Sequence, residues 1–100
     1  IIENGADINH KSSSGTPLMA SIVKGNNDMI SFLLLKNADV NLTDEAGITA
    51  LMYAAMFKNK NAVMLLLQKK ADKTKIDAKG KTAFEYAVFS GQEEIINLLK

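Results

Sequence analysis

The feature that most limits what this chain can fold into is a 33-residue echo. Thr16-Pro17-Leu18-Met19, Thr49-Ala50-Leu51-Met52 and Thr82-Ala83-Phe84-Glu85 stand at constant spacing, each opening a helix-loop-helix pattern. A unit of this length cannot bury its own apolar face and must borrow a neighbour's. The chain is therefore expected to stack into an elongated, modular surface and not to close around one pocket. Such a surface favours binding over catalysis.

In the first full copy the pattern reads as a short helix from Thr16 to about Lys24 and a turn at Gly25-Asn26. A longer helix from about Asp28 to Lys36 follows, then Asn37-Ala38-Asp39-Val40-Asn41. The second copy runs from Thr49 through Lys58-Asn59 to Lys70-Ala71-Asp72, and the third from Thr82 through Gly91-Gln92 to Leu98-Leu99. Each threonine sits where an N-cap hydroxyl satisfies early helix amides, and Pro17 fits the first helical turn, where its missing N–H costs nothing. Gly25 and Gly91 suit a left-handed C-terminal turn, as do Gly5 and Asn37, whereas Lys58 and Lys70 occupy the matching places at a steric cost. Read as one domain over 1–100, the chain divides into the end of a preceding copy (1–9), copies over 10–42 and 43–75, and a truncated copy over 76–100. The start at Ile1-Ile2 and the finish at Leu98-Leu99-Lys100 both read as cuts inside a repeat, so a missing targeting segment says nothing about a parent protein.

These residues resemble the ankyrin repeat: the 33-residue period, Thr-Pro-Leu opening the first helix, a Leu-Leu pair closing the second, and the loop signature in Gly5-Ala6-Asp7-Ile8-Asn9 and Asn37-Ala38-Asp39-Val40-Asn41. The resemblance implies an all-α solenoid of antiparallel helix pairs joined by β-turn or hairpin loops, acting as a protein–protein interaction module. The competing reading is a set of structural spacer repeats that position other domains without a partner of their own. The histidine that follows Thr-Pro-Leu in the family is Met19, Met52 and Glu85 here, so its loop-bracing hydrogen bonds are absent and looser loops are expected. Gly15 directly precedes Thr16, whereas Gly47 and Gly80 stand two before their threonines, which predicts a first inter-repeat turn one residue shorter. Loop asparagines of the family can be hydroxylated, and Asn41, with Leu33 and Asp39 upstream, resembles such a site.

The chemical inventory is poor. With no cysteine and a single histidine, His10, thiolate metal sites, thiol nucleophiles and most imidazole chemistry are excluded, and no cofactor or metal is expected. The lack of cysteine is compatible with an intracellular, cytoplasmic location without establishing one. No run of apolar residues is long enough for a membrane span. A net charge of +1, with twelve lysines and no arginine, argues against nucleic acid as a partner. Ser21-Ile22-Val23-Lys24 has the Ser-x-x-Lys spacing of some acyl enzymes, yet Ser21 falls at a small-residue packing position and no companion motif follows. The chain is read as no enzyme. Asn41-Leu42-Thr43 meets the glycosylation pattern, which matters only in a secreted parent. Asp7, Asp39 and Asp72 are expected to brace their own turns through backbone amides.

The expected buried set comprises Leu18, Leu51 and Phe84; Ser21, Ala54 and Ala87; Ile30, Val63 and Ile96; and Leu33, Leu66 and Leu99. The outward set is the partner-binding candidate: Val23 and Lys24, Met56 and Phe57, Phe89 and Ser90 near the ends of the short helices, with Thr43, Glu45, Ile48, Ile76, Lys79 and Lys81 in the loops. Val23, Met56 and Phe89 recur at 33-residue spacing and form either a hydrophobic ladder suited to an interface core or a wedge that completes the helix packing. Six lysines over 69–81, diluted by Asp72 and Asp77, either steer an acidic partner or simply solvate a loop. Apolar residues at both cut ends predict end-to-end self-association of the fragment.

Overall fold

Threonine and asparagine caps set where the helices of this chain begin. In the computed structural model, which describes residue 9 and residues 15–100, six helices form: α1 (Pro17–Lys24), α2 (Asn27–Leu35), α3 (Ala50–Met56), α4 (Lys60–Gln68), α5 (Ala83–Ser90) and α6 (Glu93–Leu99). Ile1, Ile2, the Gly5 to Ile8 signature with Asp7, His10 and the turn before Gly15 lie outside the described residues. The hydroxyls of Thr16, Thr49 and Thr82 accept from the amides of Met19, Met52 and Glu85 at 3.3, 3.2 and 3.2 Å, each closing the first turn of an inner helix. Asn26 and Asn59 cap α2 and α4 in the same way, through the amides of Met29 and Ala62. Gln92, ahead of α6, makes no side-chain cap bond.

The helices end in left-handed residues where the sequence pattern places them. Gly25 and Gly91 sit at φ 71° and 77°, and Asn37 at 65°. Lys58 and Lys70 adopt φ 57° and 66°, so the second copy carries two β-carbons in a conformation that L-residues avoid.

Within each unit the helices pair antiparallel, α1 on α2, α3 on α4 and α5 on α6. Between units an inner row, α1·α3·α5, packs beside an outer row, α2·α4·α6, over an extent of 40 × 25 × 22 Å. The core follows the 33-residue register: Leu18 and Leu51, Ser21, Ala54 and Ala87, Ile30 and Val63, Leu33, Leu66 and Leu99 are all buried. Phe84 and Ile96, expected in that set, are only half-buried. Among the described residues no helix pair packs beyond α5 and α6 to cover them; Ile96 still packs against the core, and Ile95, at the register of buried Ala62, is fully buried. Met19 and Met52, at the register position of the family histidine, are each 1% exposed and serve as core. Ser21 is buried at its small-residue position, and its hydroxyl donates to the Leu18 carbonyl at 2.8 Å.

Asparagine side chains join successive loops. The Asn9 carboxamide oxygen accepts from the Asp39 amide and that of Asn41 from the Asp72 amide, both at 2.8 Å. Asp39 and Asp72 accept in turn from the amides of Asn41 and Thr74, bracing their own turns.

Candidate functional site

The loops that rise beside the inner helices are held by a pair of residues repeated at 33-residue spacing. Asp44 Oδ1 accepts from the amides of Ala46 and Ile48, both at 2.9 Å, and Asp77 Oδ1 accepts from Lys79 and Lys81 at 2.9 and 3.0 Å. The second carboxylate oxygen of each accepts a hydrogen bond from the hydroxyl of a tyrosine on the following inner helix, Tyr53 to Asp44 and Tyr86 to Asp77. Each tip is thus tied to its own helix, and the tips are tied to each other by the Ala78 amide, which donates to the Ala46 carbonyl at 2.9 Å. Gly47 lies at this contact with φ 80°, and a β-carbon there would approach the Ala78 nitrogen to 3.0 Å. The missing histidine is therefore compensated by an aspartate–tyrosine brace in the second and third loops. Met52 adds a weak bond, its Sδ accepting from the Thr49 amide at 3.5 Å.

The brace shifts the acidities of Tyr53, Tyr86 and Asp77. Burial, then the bond to Asp44, pushes the Tyr53 phenol up to about 12. The bond to Asp77, then burial, does the same for Tyr86. Asp77 is held below the ordinary carboxylate range, first by the Tyr86 hydroxyl and then by the Lys81 amide. Asp72 is lowered likewise by the hydroxyl and amide of Thr74. Asp77 thus ties its loop to α5 through Tyr86, and Asp72 braces its own turn through Thr74.

The outward candidates divide by exposure. Val23, Phe57, Ile76 and Phe89 are 42, 50, 60 and 92% exposed, and Lys24, Glu45, Lys79 and Lys81 are also exposed. Met56 and Ile48, expected to face outward, are half-buried because they pack partly against the core. Thr43 is half-buried at the hairpin base, bridged to Thr49, and half-buried Ser90 bonds back to the Ala87 carbonyl at 3.0 Å. The Val23, Met56, Phe89 column is therefore neither a pure ladder nor a pure wedge: its ends stand out and its middle packs in.

Three grooves gather all the exposed members except Glu45 and Ile76, which line none of them. Val23 and Lys24 join Met19, Ala20 and Tyr53 around an apolar groove of about 240 Å³ between the first two inner helices. A second groove, about 280 Å³, runs between the ends of α1 and α3, with Val23, Lys24 and Phe57 on its walls. The Tyr53 and Phe57 ring centroids lie 6.3 Å apart at a tilt of 40°. The third, about 570 Å³, lies along α5 and brings Lys79, Lys81 and Phe89 together with Phe84, Glu85, Tyr86 and Val88. Tyr53, Tyr86, Phe84 and Val88 are absent from the sequence-based set. The 33-residue recurrence of Asp44 with Asp77 and of Tyr53 with Tyr86 is the signal that marks the tyrosines. Among the described residues, no group of histidines, cysteines and carboxylates is arranged to hold a metal ion, and no helix is long and apolar enough to cross a membrane.

The family model described as ankyrin repeats, in three copies, matches residues 18–100. No curated relative matches the chain. Because the family match spans most of the sequence and falls on the same stacked helix pairs that the threonine register generates, this chain belongs to the ankyrin-repeat family.

Proposed function

We propose that this chain binds a partner protein across the ends of its inner helices and its hairpin tips, as a specific instance of the protein-interaction role general to ankyrin repeats. The observation that carries this reading is the exposure of Val23, Phe57 and Phe89 at the ends of three successive inner helices. Large apolar side chains held out to solvent by a rigid scaffold make the desolvated centre of an interface, and Lys24, Glu45, Ile76, Lys79 and Lys81 supply its rim. The scaffold needs no ordering on binding, because the caps and the aspartate–tyrosine brace already fix it.

The test is capture from the source lysate by the native stack and by a Val23→Glu, Phe57→Glu, Phe89→Glu variant whose circular dichroism shows it folded. Met56 stays unchanged because its partial burial would confuse unfolding with lost contact. A protein retained by the native stack and lost by the variant supports the proposal. Equal retention moves the site elsewhere. The competing spacer reading draws on the open face of α5, where a further unit would stack, and predicts that neither form retains a specific partner.

A further inference from the structure

The groove of about 280 Å³ between the ends of α1 and α3 lies between two described units, and its charge has one sign. Lys24, Lys58 and Lys60 line it together with Val23, Phe57 and Asn59, and no carboxylate does. Lys60 lies 3.4 Å from Glu94, an exposed pair that water and salt screen. Lys24 and Lys58 have no carboxylate within ion-pair distance among the described residues. Even with Glu94 counted, and Asp28, which follows Asn27 of the lining, lysines stay in excess. The groove along α5 has no such excess: Glu85 lines it, and Asp77, held ionised, bonds to the amides of Lys79 and Lys81.

Lys58 stands in this groove at a backbone cost. The same register position holds Gly25 and Gly91 at φ 71° and 77°, without a β-carbon, whereas Lys58 adopts φ 57°. Strain alone marks no site, since Lys70 shares it at φ 66°. What singles out Lys58 is that its strained position lies on the wall of a groove already lined by two other cations.

We infer that the groove between the ends of α1 and α3 takes an acidic segment of a partner protein, whose carboxylates pair with Lys24 and Lys58 and whose apolar side chain lies against Phe57 and Val23. Both lysines sit on backbone that is fixed before binding. The Gly25 amide donates to the Ile22 carbonyl at 3.0 Å beside Lys24, and the Lys58 amide donates to the Ala55 carbonyl at 3.3 Å. The groove is smaller than the roughly 300–1,000 Å³ of a site that encloses a small-molecule ligand, so it suits side chains of a larger partner. A protein segment fits better than nucleic acid: the chain has no arginine, and Phe57 is the one aromatic residue of the lining, where single strands use successive stacking platforms. This inference rests on the interaction reading above and names the partner chemistry at one part of that surface.

The experiment selects binders to the 100-residue chain from a random peptide library displayed on phage and measures the recovered peptides, fluorescein-labelled, by polarisation. Sequences enriched in Asp and Glu beside a large apolar residue are expected. Lys58→Gly is the informative variant, because it removes the ammonium while relieving the backbone: its denaturant midpoint should rise as its peptide affinity falls. In a Lys24→Gln, Lys58→Gly variant the affinity should fall about tenfold or more, and the native chain's affinity should weaken as salt rises. No recovered peptide, no acidic enrichment, or an affinity unchanged in the double variant overturns the proposal. Peptides lost in a Lys79→Gln, Lys81→Gln variant yet kept in the double variant overturn it too, by moving the charge recognition to the loop. A lysate partner lost with Val23→Glu, Phe57→Glu, Phe89→Glu but retained by the double variant overturns the acidic groove and leaves the interaction reading standing. Binding of a fluorescein-labelled oligothymidylate with the same lysine dependence, in place of peptide, reassigns the groove to nucleic acid and overturns it as well.

Discussion

At the scale of single residues, the Tyr86–Asp77 and Tyr53–Asp44 bonds link loop geometry to pH. Each phenol is raised from its ordinary value near 10 to about 12 in the folded chain. Their contribution to stability is therefore complete below about pH 10 and is lost as pH rises through about 12. Asp77 and Asp72 work in the opposite sense. Their depressed folded values give stability above about pH 4 that is lost as pH falls through those values. Denaturant midpoints of the native chain should drop between pH 10 and 12, and a Tyr53→Phe, Tyr86→Phe chain should show a smaller drop over the same window. Equal drops would mean that the bonds are not formed in solution. The positive φ of Lys58 and Lys70 gives a second residue-scale prediction. Lys58→Gly should raise stability by about 0.5–1 kcal/mol in thermal or denaturant unfolding, since relief of the β-carbon clash exceeds the added freedom of the unfolded chain. That strain is legible in the sequence, because the same register positions elsewhere hold Gly25, Gly91 and Asn37. The aspartate–tyrosine brace is harder to read: its members lie nine residues apart on different elements, and only the folded hairpin brings them together. The first unit has Ala20 where the others have tyrosine, so the pattern repeats twice and not three times.

At the scale of elements, helix starts are legible because a cap is a local device: hydroxyl, amide and first turn lie within four residues of each other. Which face of a helix is buried depends on what lies beside it, and here the pattern predicts less. The same periodicity that buries Leu18 and Leu51 marks Phe84, which is only half-covered, and the one that buries Ile30 and Val63 marks Ile96, which is only half-buried. Interior positions give the sharper test. Ala54, fully buried on α3 where the helix meets its neighbours in the inner row, leaves no room for a larger side chain. Ala54→Leu should cost about 1–3 kcal/mol by overpacking, read as a lower denaturant midpoint with the slope unchanged. An unaltered midpoint would mean that the inner helices do not approach as closely as the structure places them.

At the scale of the whole molecule, stability in a stack is a sum of unit and neighbour terms, so position along the stack matters as much as composition. The pair α3–α4 is packed on both sides, by α1–α2 and by α5–α6, whereas α5–α6 has a packed neighbour on one side only. The third unit also starts its outer helix without a side-chain cap at Gln92 and keeps Phe84, Val88 and Phe89 partly or largely in water. Both deficits lower the free energy needed to open α5–α6 alone, below that needed to open α3–α4, which must break two interfaces. Amide hydrogen exchange of the native chain should therefore show faster exchange in α5 and α6 than in α3 and α4, even though all four helices have similar lengths. Uniform protection would mean that the stack opens as one cooperative unit and that the open face of α5 carries no energetic penalty.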